Sequence, residues 1–496
     1  MKILNELRPS AEGFAGIPQE TRIIHSILLE NDTIKPYGLL NSNTAPLGPS
    51  VARLDRLKRD LRYAQARVVL ELAENGNKKF FEVVNREIQK LLTAQALKFR
   101  TLTGYKVRLH GVPMQDHGDF LWRKYFSKTL DPKEMTNVLG GDYVAMRFPW
   151  QMLQSVGMKK PLRKTYARLD TSKYDVFISQ TPWPARVSPN TQLVVRYHDA
   201  IPMFYPHTIH NAFRHQFTHY FPLKSNIQQG AKIVCNSENS RNEVLNLFPG
   251  HEKLTHVIPC AVSDLYKATD EVPSRERLRD IIRGGIEPAT APEFLSTREE
   301  RLFYDRHLNA DTLDYIMMVS TIEPRKNHSR LIAAWNALRH LGHENTKLLI
   351  VGRPGWHVES TLESMKTFQQ RGLLFNVSRV SAGDLRRLYK GARAVVCPSI
   401  AEGFDLSGIE AMLSGGVVAA SDIPVHREVY GDGCTYFNPY STGEAVQAIQ
   451  RLLDPANAEE RETIRTRGEK LAQRYRRSVI ADEWHTYIDR LRARTA

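Results

Sequence analysis

Residues 394–416 read AVVCPSIAEGFDLSGIEAMLSGG. The apolar run 394–397 is followed by a glycine-containing loop and then by an amphipathic segment that opens near Ser407. This order predicts a strand, a loop and a helix. The unpaired N–H groups of the loop and the positive end of the helix dipole suit an anion such as a diphosphate.

Two carboxylates, Glu402 and Glu410, bracket this loop with seven residues between them. Since an ionised carboxylate only accepts hydrogen bonds, neither can hold the anion, and the binding of sugar hydroxyls is the chemistry that suits them. Ser407 and Glu410 also have the spacing of a capping box, in which Glu410 bonds back to the start of the helix. The residues alone leave both interpretations open.

Length and composition indicate a globular protein. The 496 residues are enough for about two or three domains. No apolar run approaches the roughly 18–20 residues of a membrane-spanning helix, and the start lacks the apolar core of a signal peptide. The four cysteines are widely spaced and fit neither a zinc motif nor a disulfide framework, so we expect a reducing, cytoplasmic setting.

The positive charge is uneven. Of the net +15, residues 1–312 carry +11 and residues 313–496 carry +4. A basic first half is compatible with anionic lipid, nucleic acid, a phosphorylated substrate or a solvated surface. A long basic helical pattern over residues 51–102 offers a face for a membrane, with a solvated face as the alternative. No nucleic-acid recognition motif accompanies these charges, so we expect no nucleic-acid partner.

The first half opens like a nucleotide-binding α/β fold. A short strand pattern at residues 3–7 is followed by a loop with Gly13 and Gly16 and by a helical stripe over residues 19–29. The loop is not the Gly-x-Gly-x-x-Gly sequence of dinucleotide-binding proteins. The glycines therefore predict a turn, with ligand contact as an open alternative.

Histidines follow the later strands of this half. His198 stands directly after the predicted strand at residues 192–197, where α/β folds place ligand contacts, although a structural cap is the alternative. His215 and His219 have a spacing that fits a metal, but the glutamate of a zincin motif is missing. We therefore expect a polar helix face at these two histidines and no metal.

The second half repeats the strand–helix alternation. After the strand predicted at residues 315–320, a loop carries Arg325 and Lys326 to the start of a helix. Adjacent cations at a helix N-terminus oppose its dipole, and a bound diphosphate would neutralise them. The two halves together predict an α/β protein with two doubly wound domains that face each other across a cleft.

Ordered motifs in the second half resemble a known family. VSTIEPRKN, LLIVGRPGW, the stretch that ends at Gly416, HREVYGDG and YFNP follow one another as in the retaining GT-B glycosyltransferases of family 4. The chain is most similar to the bacterial enzymes that build O-antigen or capsule polysaccharide. The resemblance covers residues 313–440, with shorter matches such as YHDAIP in the first half.

The resemblance implies a GT-B fold with two Rossmann-like domains. Residues 1–290 would form the acceptor-side domain with helical insertions, and residues 291–475 the nucleotide-sugar domain. Residues 476–496 would form a helix that crosses back to the first domain.

The resemblance also implies roles for residues around the nucleotide sugar. Arg325 and Lys326 would hold the donor diphosphate, Glu410 the nucleotide ribose and Glu402 the hydroxyls of the donor sugar. His198 would lie beside that sugar, near the reacting carbon. Further contacts would come from the backbone near the diphosphate: Phe404, Leu406 and Ser407, and the closing loop at Gly16 and Ile17.

The implied activity is transfer of a hexose from a nucleotide-diphosphate sugar, with retained configuration and without a metal. Mannose from GDP-mannose is the first expectation, and the acceptor would be a glycan or lipid-linked sugar in surface polysaccharide and lipopolysaccharide synthesis. No Asp-x-Asp triplet occurs in the chain to hold a metal. The donor is a substrate and no cofactor is expected; peripheral contact with the inner face of the plasma membrane is an open expectation.

Two alternative functions and three departures from the sequence pattern of the family stay open. The chain could instead be a non-catalytic sugar-nucleotide-binding subunit of a polysaccharide assembly, or a GT-B-like sugar-nucleotide epimerase. Many relatives have Gly at Asp405 and Pro at Ser407, and some have Arg at Thr321. A carboxylate at position 405 opposes a nearby diphosphate unless it points away.

Overall fold

The computed structural model describes residues 1–11, 13, 16–42, 47, 61–73, 80–158, 166–269 and 271–495. The start of the predicted basic helical pattern, at residues 51–60, and its predicted interruption at Asn75-Gly76 lie outside these residues. Residues 61–73 and 80–102 of that pattern form two helices, α2 and α3 of the series below.

The strands of the described residues are β1 (Lys2–Glu6), β2 (Lys35–Leu40), β3 (Lys106–Val107), β4 (Leu109–Gly111), β5 (Asp142–Met146), β6 (Ala167–Leu169), β7 (Val176–Ser179), β8 (Ala185–Arg186), β9 (Gln192–Tyr197), β10 (Lys232–Cys235), β11 (Thr255–Val257), β12 (Tyr315–Val319), β13 (Lys347–Val351), β14 (Leu374–Val377), β15 (Ala394–Cys397), β16 (Val418–Ser421) and β17 (Cys434–Phe437).

The helices are α1 (Ile17–Leu29), α2 (Leu61–Ala73), α3 (Phe80–Leu102), α4 (Gly118–Leu121), α5 (Met135–Leu139), α6 (Trp150–Met158), α7 (Ile201–Phe204), α8 (Ala212–Gln228), α9 (Glu238–Leu247), α10 (Arg275–Gly284), α11 (Thr297–His307), α12 (His328–His340), α13 (Glu359–Gln370), α14 (Ala382–Gly391), α15 (Leu406–Leu413), α16 (Pro424–Tyr430), α17 (Thr442–Leu453), α18 (Ala458–Ala472) and α19 (Arg477–Thr495).

The first domain is built on an eight-stranded sheet with the order β11-β10-β9-β7-β1-β2-β5-β4. Its strands run parallel, except that β4 is antiparallel to β5. The strand order reverses between β1 and β7, and such a reversal opens a crevice at the carboxyl ends of the strands. A small sheet with the order β3-β6-β8 lies beside it.

The second domain has a parallel sheet with the order β14-β13-β12-β15-β16-β17. Numbered from its own first strand, this is the 3-2-1-4-5-6 order of the Rossmann fold. The order reverses between β12 and β15, which pair through Ile316 and Ala394. The loops after these two strands carry Arg325-Lys326 and Glu402, so the topology brings the predicted site residues to one crevice.

Both large sheets are covered on their two faces. In β12, Met317 packs in one hydrophobic cluster and Ile316 and Met318 pack in the cluster on the opposite face. In β1, Ile3 and Leu4 divide between two clusters in the same way. Burial on both faces explains why these strands are continuous apolar runs in the sequence.

The chain passes between the domains twice. Side chains from Cys260 to Ile282 already pack in the core of the second sheet. After α18, helix α19 returns to the first domain, where Trp484 and Ile488 join the cluster that contains Ile23 of α1. The domain limits predicted at residues 290 and 475 stay a prediction. Within the described residues, no helix combines the length and the apolarity needed to span a bilayer.

Candidate active site

A cavity of about 660 Å³ lies between the two domains, at the carboxyl ends of both sheets. Loops from both domains line it, which places the two strand-order reversals around one space. Every residue that the sequence analysis singled out for the site lines this cavity: Gly16, Ile17, His198, Arg325, Lys326, Glu402, Phe404, Leu406, Ser407 and Glu410.

The two predicted cations form an ion cluster with the first of the two carboxylates. Arg325 and Lys326 end the 3₁₀ turn 324–326 after β12. Arg325 Nη1 and Lys326 Nζ each lie 2.5 Å from one oxygen of Glu402, and Arg325 Nη2 lies 2.6 Å from Glu323 Oε1. Burial alone would raise the pKa of Glu402, but the two cations hold it below its ordinary value. The cluster therefore sets two basic side chains against two carboxyl groups.

Helix α15 begins one residue earlier than the sequence indicated. Its N-cap is Asp405, whose Oδ1 accepts hydrogen bonds from the backbone N–H of Ser407 at 3.1 Å and from its hydroxyl at 2.6 Å. Asp405 Oδ2 lies 3.3 Å from His426 Nε2. Burial would raise the pKa of Asp405, but the contacts with His426, Lys326 and Ser407 hold it far below its usual range. The carboxylate that opposed a diphosphate in the sequence is thus committed to the helix start and to His426.

Glu410 does not close a capping box, and that interpretation is wrong. Its Oε1 accepts a hydrogen bond from Gln19 Nε2 at 3.1 Å, and its Oε2 accepts one from Tyr389 Oη at 3.2 Å. Gln19 belongs to α1 of the first domain, so this bond crosses the cleft. Burial raises the pKa of Glu410 to about 7, although the hydrogen bonds from Gln19 and Tyr389 act in the opposite direction.

His198 directly follows β9 and belongs to a second buried ion cluster. Its Nδ1 lies 3.0 Å from Glu20 Oε2, and Glu20 Oε1 accepts a hydrogen bond from Arg196 Nε at 2.9 Å. Burial would raise the pKa of Glu20, but Arg196 and His198 lower it to about 2. The carboxylate is therefore ionised at neutral pH.

The His198 backbone and the Glu402 loop meet where the domains touch. A Cβ on Gly403 would overlap the carbonyl oxygen of His198, so the close approach requires glycine here. Ser237, the cap of α9, donates its hydroxyl to the Gly403 carbonyl at 2.8 Å. The loop after β15 therefore closes directly on the first domain, beside His198.

Two comparisons with protein families agree with this architecture. The family described as glycosyl transferases group 1 matches residues 301–471, and glycosyltransferase family 4 matches residues 125–264. Two stretches of the chain therefore match models of glycosyltransferase domains. The first contains Arg325, Glu402 and Glu410, and the second contains His198.

Individual relatives of these glycosyltransferase domains are bacterial. The chain is 35% identical over 138 residues to a serotype-specific mannosyltransferase of Escherichia coli, which is 28% of this chain and 17% of that protein. It is 32% identical over 142 residues to O-antigen chain mannosyltransferase B of Escherichia coli, which is 28% of this chain and 37% of that protein. The matched stretches thus span well under half of these relatives.

One solved structure resembles the whole chain in its fold. Sucrose-phosphate synthase from Thermosynechococcus elongatus superposes with a TM-score of 0.58 at 14% sequence identity, over 99% of both chains. At this identity the likeness concerns the fold alone. With the two family matches, it confirms the predicted GT-B fold.

Three residues that build this site were not predicted from the sequence. Glu20 and Gln19 lie in the first turn of α1, within a helical stripe that shows only its apolar residues clearly. Arg196 gave a usable signal, since a charged residue inside the apolar strand QLVVRY requires a buried partner.

One histidine of the pair in α8, His219, has a packing role. His219 Nε2 lies 2.8 Å from Tyr197 Oη, and burial lowers the pKa of His219 to about 4. Within the described part of the chain, no group of three or more side chains is arranged to hold a metal.

Proposed function

We propose that the protein transfers a hexose, with mannose as the first candidate, from a nucleotide-diphosphate sugar to a glycan or lipid-linked acceptor of surface polysaccharide. The observation that carries this proposal is the meeting of Arg325, Lys326 and Glu402 with His198 and Glu410 around one interdomain cavity. The names of the mannosyltransferase relatives support the choice of mannose. The matched stretches are partial, so the activity of the whole protein rests on this argument.

The charges suit the departure of a nucleoside diphosphate. When the sugar–phosphate bond breaks, negative charge grows on the diphosphate and positive charge on the sugar ring. Arg325, Lys326 and the N–H groups at the start of α15 would stabilise the leaving anion, which is electrostatic catalysis. Glu402 is positioned by the same two cations, so the anion and the carboxylate would share them in the bound state.

We propose retention of configuration without a metal. The acceptor oxygen would attack the face that the diphosphate leaves, and a diphosphate oxygen would take up the acceptor proton. The new glycosidic C–O bond forms as the anomeric C–O bond to phosphate breaks, and the nucleoside diphosphate departs with the proton. An isolable glycosyl-enzyme intermediate would contradict this route.

The test is a screen of nucleotide sugars by thermal shift, followed by turnover. A donor that binds the native state should raise its melting temperature. With GDP-mannose and a mannose-containing acceptor glycan, we expect acceptor-dependent release of GDP in the presence of EDTA, and NMR of the product should show the anomeric configuration of the donor. Donor conversion without acceptor would identify an epimerase, and binding without turnover for all acceptors would identify a non-catalytic subunit.

A surface of the first domain fits an anionic membrane. Helix α3 exposes five large apolar side chains on one face, each between 50% and 71% exposed. They are Ile88, Leu91, Leu92, Phe99 and Leu102. The exposed cations Arg100, Lys106 and Arg108 lie beside or just after the helix. We propose that this apolar stripe inserts at the surface of an anionic bilayer, where the basic half of the chain would face lipid head groups.

Vesicle sedimentation tests this contact. The protein should pellet with phosphatidylglycerol vesicles more than with phosphatidylcholine vesicles, and the double variant Leu91→Ser/Leu92→Ser should lose the binding. Leu302→Ser on α11 is the matched control, because Leu302 is exposed as well, at 59%, but lies on a helix that packs in the core of the second domain. Equal binding by the double variant and the control would contradict the proposal.

A further inference from the structure

Glu20 is a buried carboxylate beside His198; it is 2% exposed and also lines the cavity. Glu20 sits in the first turn of α1, one residue after Gln19 and close to the loop at Gly16. One of its oxygens bonds to Arg196 and the other faces His198 Nδ1. The carboxylate therefore bridges a fixed cation and the ring of a residue in the cavity wall.

Arg196 holds Glu20 in place. Its Nη1 donates to the carbonyl oxygens of Cys235 at 3.0 Å and of Ile258 at 2.7 Å, and its guanidinium lies 5.7 Å from the ring centroid of Trp484. These contacts come from strand β10, from the chain after β11 and from α19. A guanidinium anchored on so many sides leaves its carboxylate partner little freedom to move.

The His198 ring faces Glu20 with Nδ1, which lies 3.0 Å from Oε2. An ionised carboxylate accepts hydrogen bonds and donates none, so this approach favours the hydrogen on Nδ1. In the neutral form of that tautomer, Nε2 has a free lone pair. Among the described residues, Nε2 is buried without a hydrogen-bond partner, in a side chain that lines the cavity. A buried polar atom without a protein partner at a cavity wall points to a ligand group as its partner.

We propose that Glu20 is a positioning residue that holds the His198 ring with Nδ1–H on the carboxylate, so that Nε2 accepts a hydrogen bond from a hydroxyl of the donor sugar. The proposal rests on the glycosyl transfer proposed above. It adds that the orientation of His198 depends on a residue of α1 and, through Arg196, on the C-terminal helix. In this arrangement Glu20 acts on the substrate through His198.

The first test reads the tautomer directly and needs no turnover. The protein is labelled with ¹⁵N-histidine, and the ring signals of His198 are assigned by their loss in His198→Gln. The unmodified protein should show the Nδ1–H form at neutral pH, and Glu20→Gln should shift the ring toward the other tautomer or toward exchange between the two. An Nε2–H ring in the unmodified protein, or an unchanged ring in Glu20→Gln, would overturn the proposal.

The second test separates positioning from stability. Glu20→Asp keeps the charge beside Arg196 but withdraws the carboxylate from Nδ1, so kcat should fall at least about tenfold while KM for the nucleotide sugar changes little. Glu6→Gln is the matched control, since Glu6 is fully buried, is paired with Arg8 and lies outside the cavity lining. Equal losses of kcat in both variants would assign Glu20 a structural role only.

The two tests also distinguish this proposal from the proposed function. A ring in the Nδ1–H form that depends on Glu20, in a protein with no transferase activity, would leave the positioning role standing and reject the transfer. Transferase activity in a protein whose His198 tautomer does not change in Glu20→Gln would support the transfer and reject the positioning role.

Discussion

Gln19 Nε2 donates a hydrogen bond to Glu410 Oε1 at 3.1 Å, and this bond joins the first helix of one domain to α15 of the other. The same carboxylate receives a bond from Tyr389 Oη. An aqueous carboxylate would be fully ionised at neutral pH, but this one is buried between neutral donors and has a pKa of about 7. The Glu410 carboxyl group can therefore gain or lose its proton near neutral pH.

Glu410→Gln should stabilise the protein at alkaline pH. The ordinary pKa is 4.5 and the folded pKa is about 7, so the folded state binds the extra proton between these values. The stability that the protonated carboxyl contributes is complete below about pH 4.5 and is lost as the pH rises through 7. Gln resembles the protonated form, so the free energy of unfolding of the variant should exceed that of the unmodified protein by up to about 3 kcal/mol at pH 8. This difference should shrink toward pH 5. Denaturant unfolding at both pH values measures this.

The same substitution should weaken nucleotide binding. An ionised Glu410 accepts hydrogen bonds from ribose hydroxyls better than the protonated acid or an amide. The affinity of the unmodified protein for a nucleoside diphosphate should therefore rise between pH 6 and pH 8, and that of Glu410→Gln should not. Titration calorimetry at several pH values measures these affinities. Parallel pH profiles for the two proteins would speak against a ribose contact.

Glu402→Gln should make the protein depend on an added anion. The substitution leaves Arg325 and Lys326 with Glu323 as the remaining carboxylate of the cluster, and breaking such a buried pair costs about 3–5 kcal/mol. Inorganic pyrophosphate should then raise the melting temperature of the variant more than that of the unmodified protein. The double variant Lys326→Met/Glu402→Gln is the control, because it removes one of the released charges and should lose most of the extra shift. Equal shifts in all three proteins would show that the cluster does not bind diphosphate.

Gly403→Ala should destabilise the closed arrangement of the domains. The new Cβ would overlap the carbonyl oxygen of His198, and the backbone that carries this oxygen cannot easily shift. Overpacking of this kind costs about 1–3 kcal/mol of stability. Activity should fall as well, since Glu402 is the neighbouring residue. Gly443→Ala in α17 meets no atom within 4 Å and should leave activity unchanged while adding up to about 0.5–1 kcal/mol of stability. Urea unfolding and initial rates report on both variants, and full activity in Gly403→Ala would contradict the described contact.

Asp405→Ala should cost more stability than Asp405→Asn. Alanine loses the hydrogen bonds that cap α15, a loss of about 1 kcal/mol, together with the contact with His426. Asparagine still caps a helix and loses mainly the charge. Thermal unfolding of both variants at neutral pH would show the order, and a more stable alanine variant would mean that Asp405 is not the cap.

Much of the fold could be predicted from the sequence because buried parallel strands are continuous apolar runs. Strands β9, β13 and β15 have the bounds that their apolar runs indicate. Strand β2 was missed since it reads KPYGLL, with a proline and a glycine. Gly38 is needed there, because a Cβ would press on the side chains of Leu7 and Tyr143. That requirement comes from tertiary packing and leaves no local signal.

The site divides in a similar way. The residues placed by motif order all line the cavity, since each follows a strand whose position the sequence reveals. Their partners could not be predicted. The pairing of Lys326 with Glu402 and of Arg196 with Glu20 joins residues 76 and 176 positions apart. Such pairs depend on the strand order, which the sequence does not state.

The position of helix α19 has a consequence for folding during synthesis on the ribosome. Trp484 and Ile488 complete the core around α1, although hundreds of residues separate them from it in the chain. The second domain, whose core uses residues from Cys260 to Tyr475, is fully synthesised before they emerge. The first domain to leave the ribosome is thus the last to close its core, and until then the apolar side of α1 is a surface on which a chaperone can act.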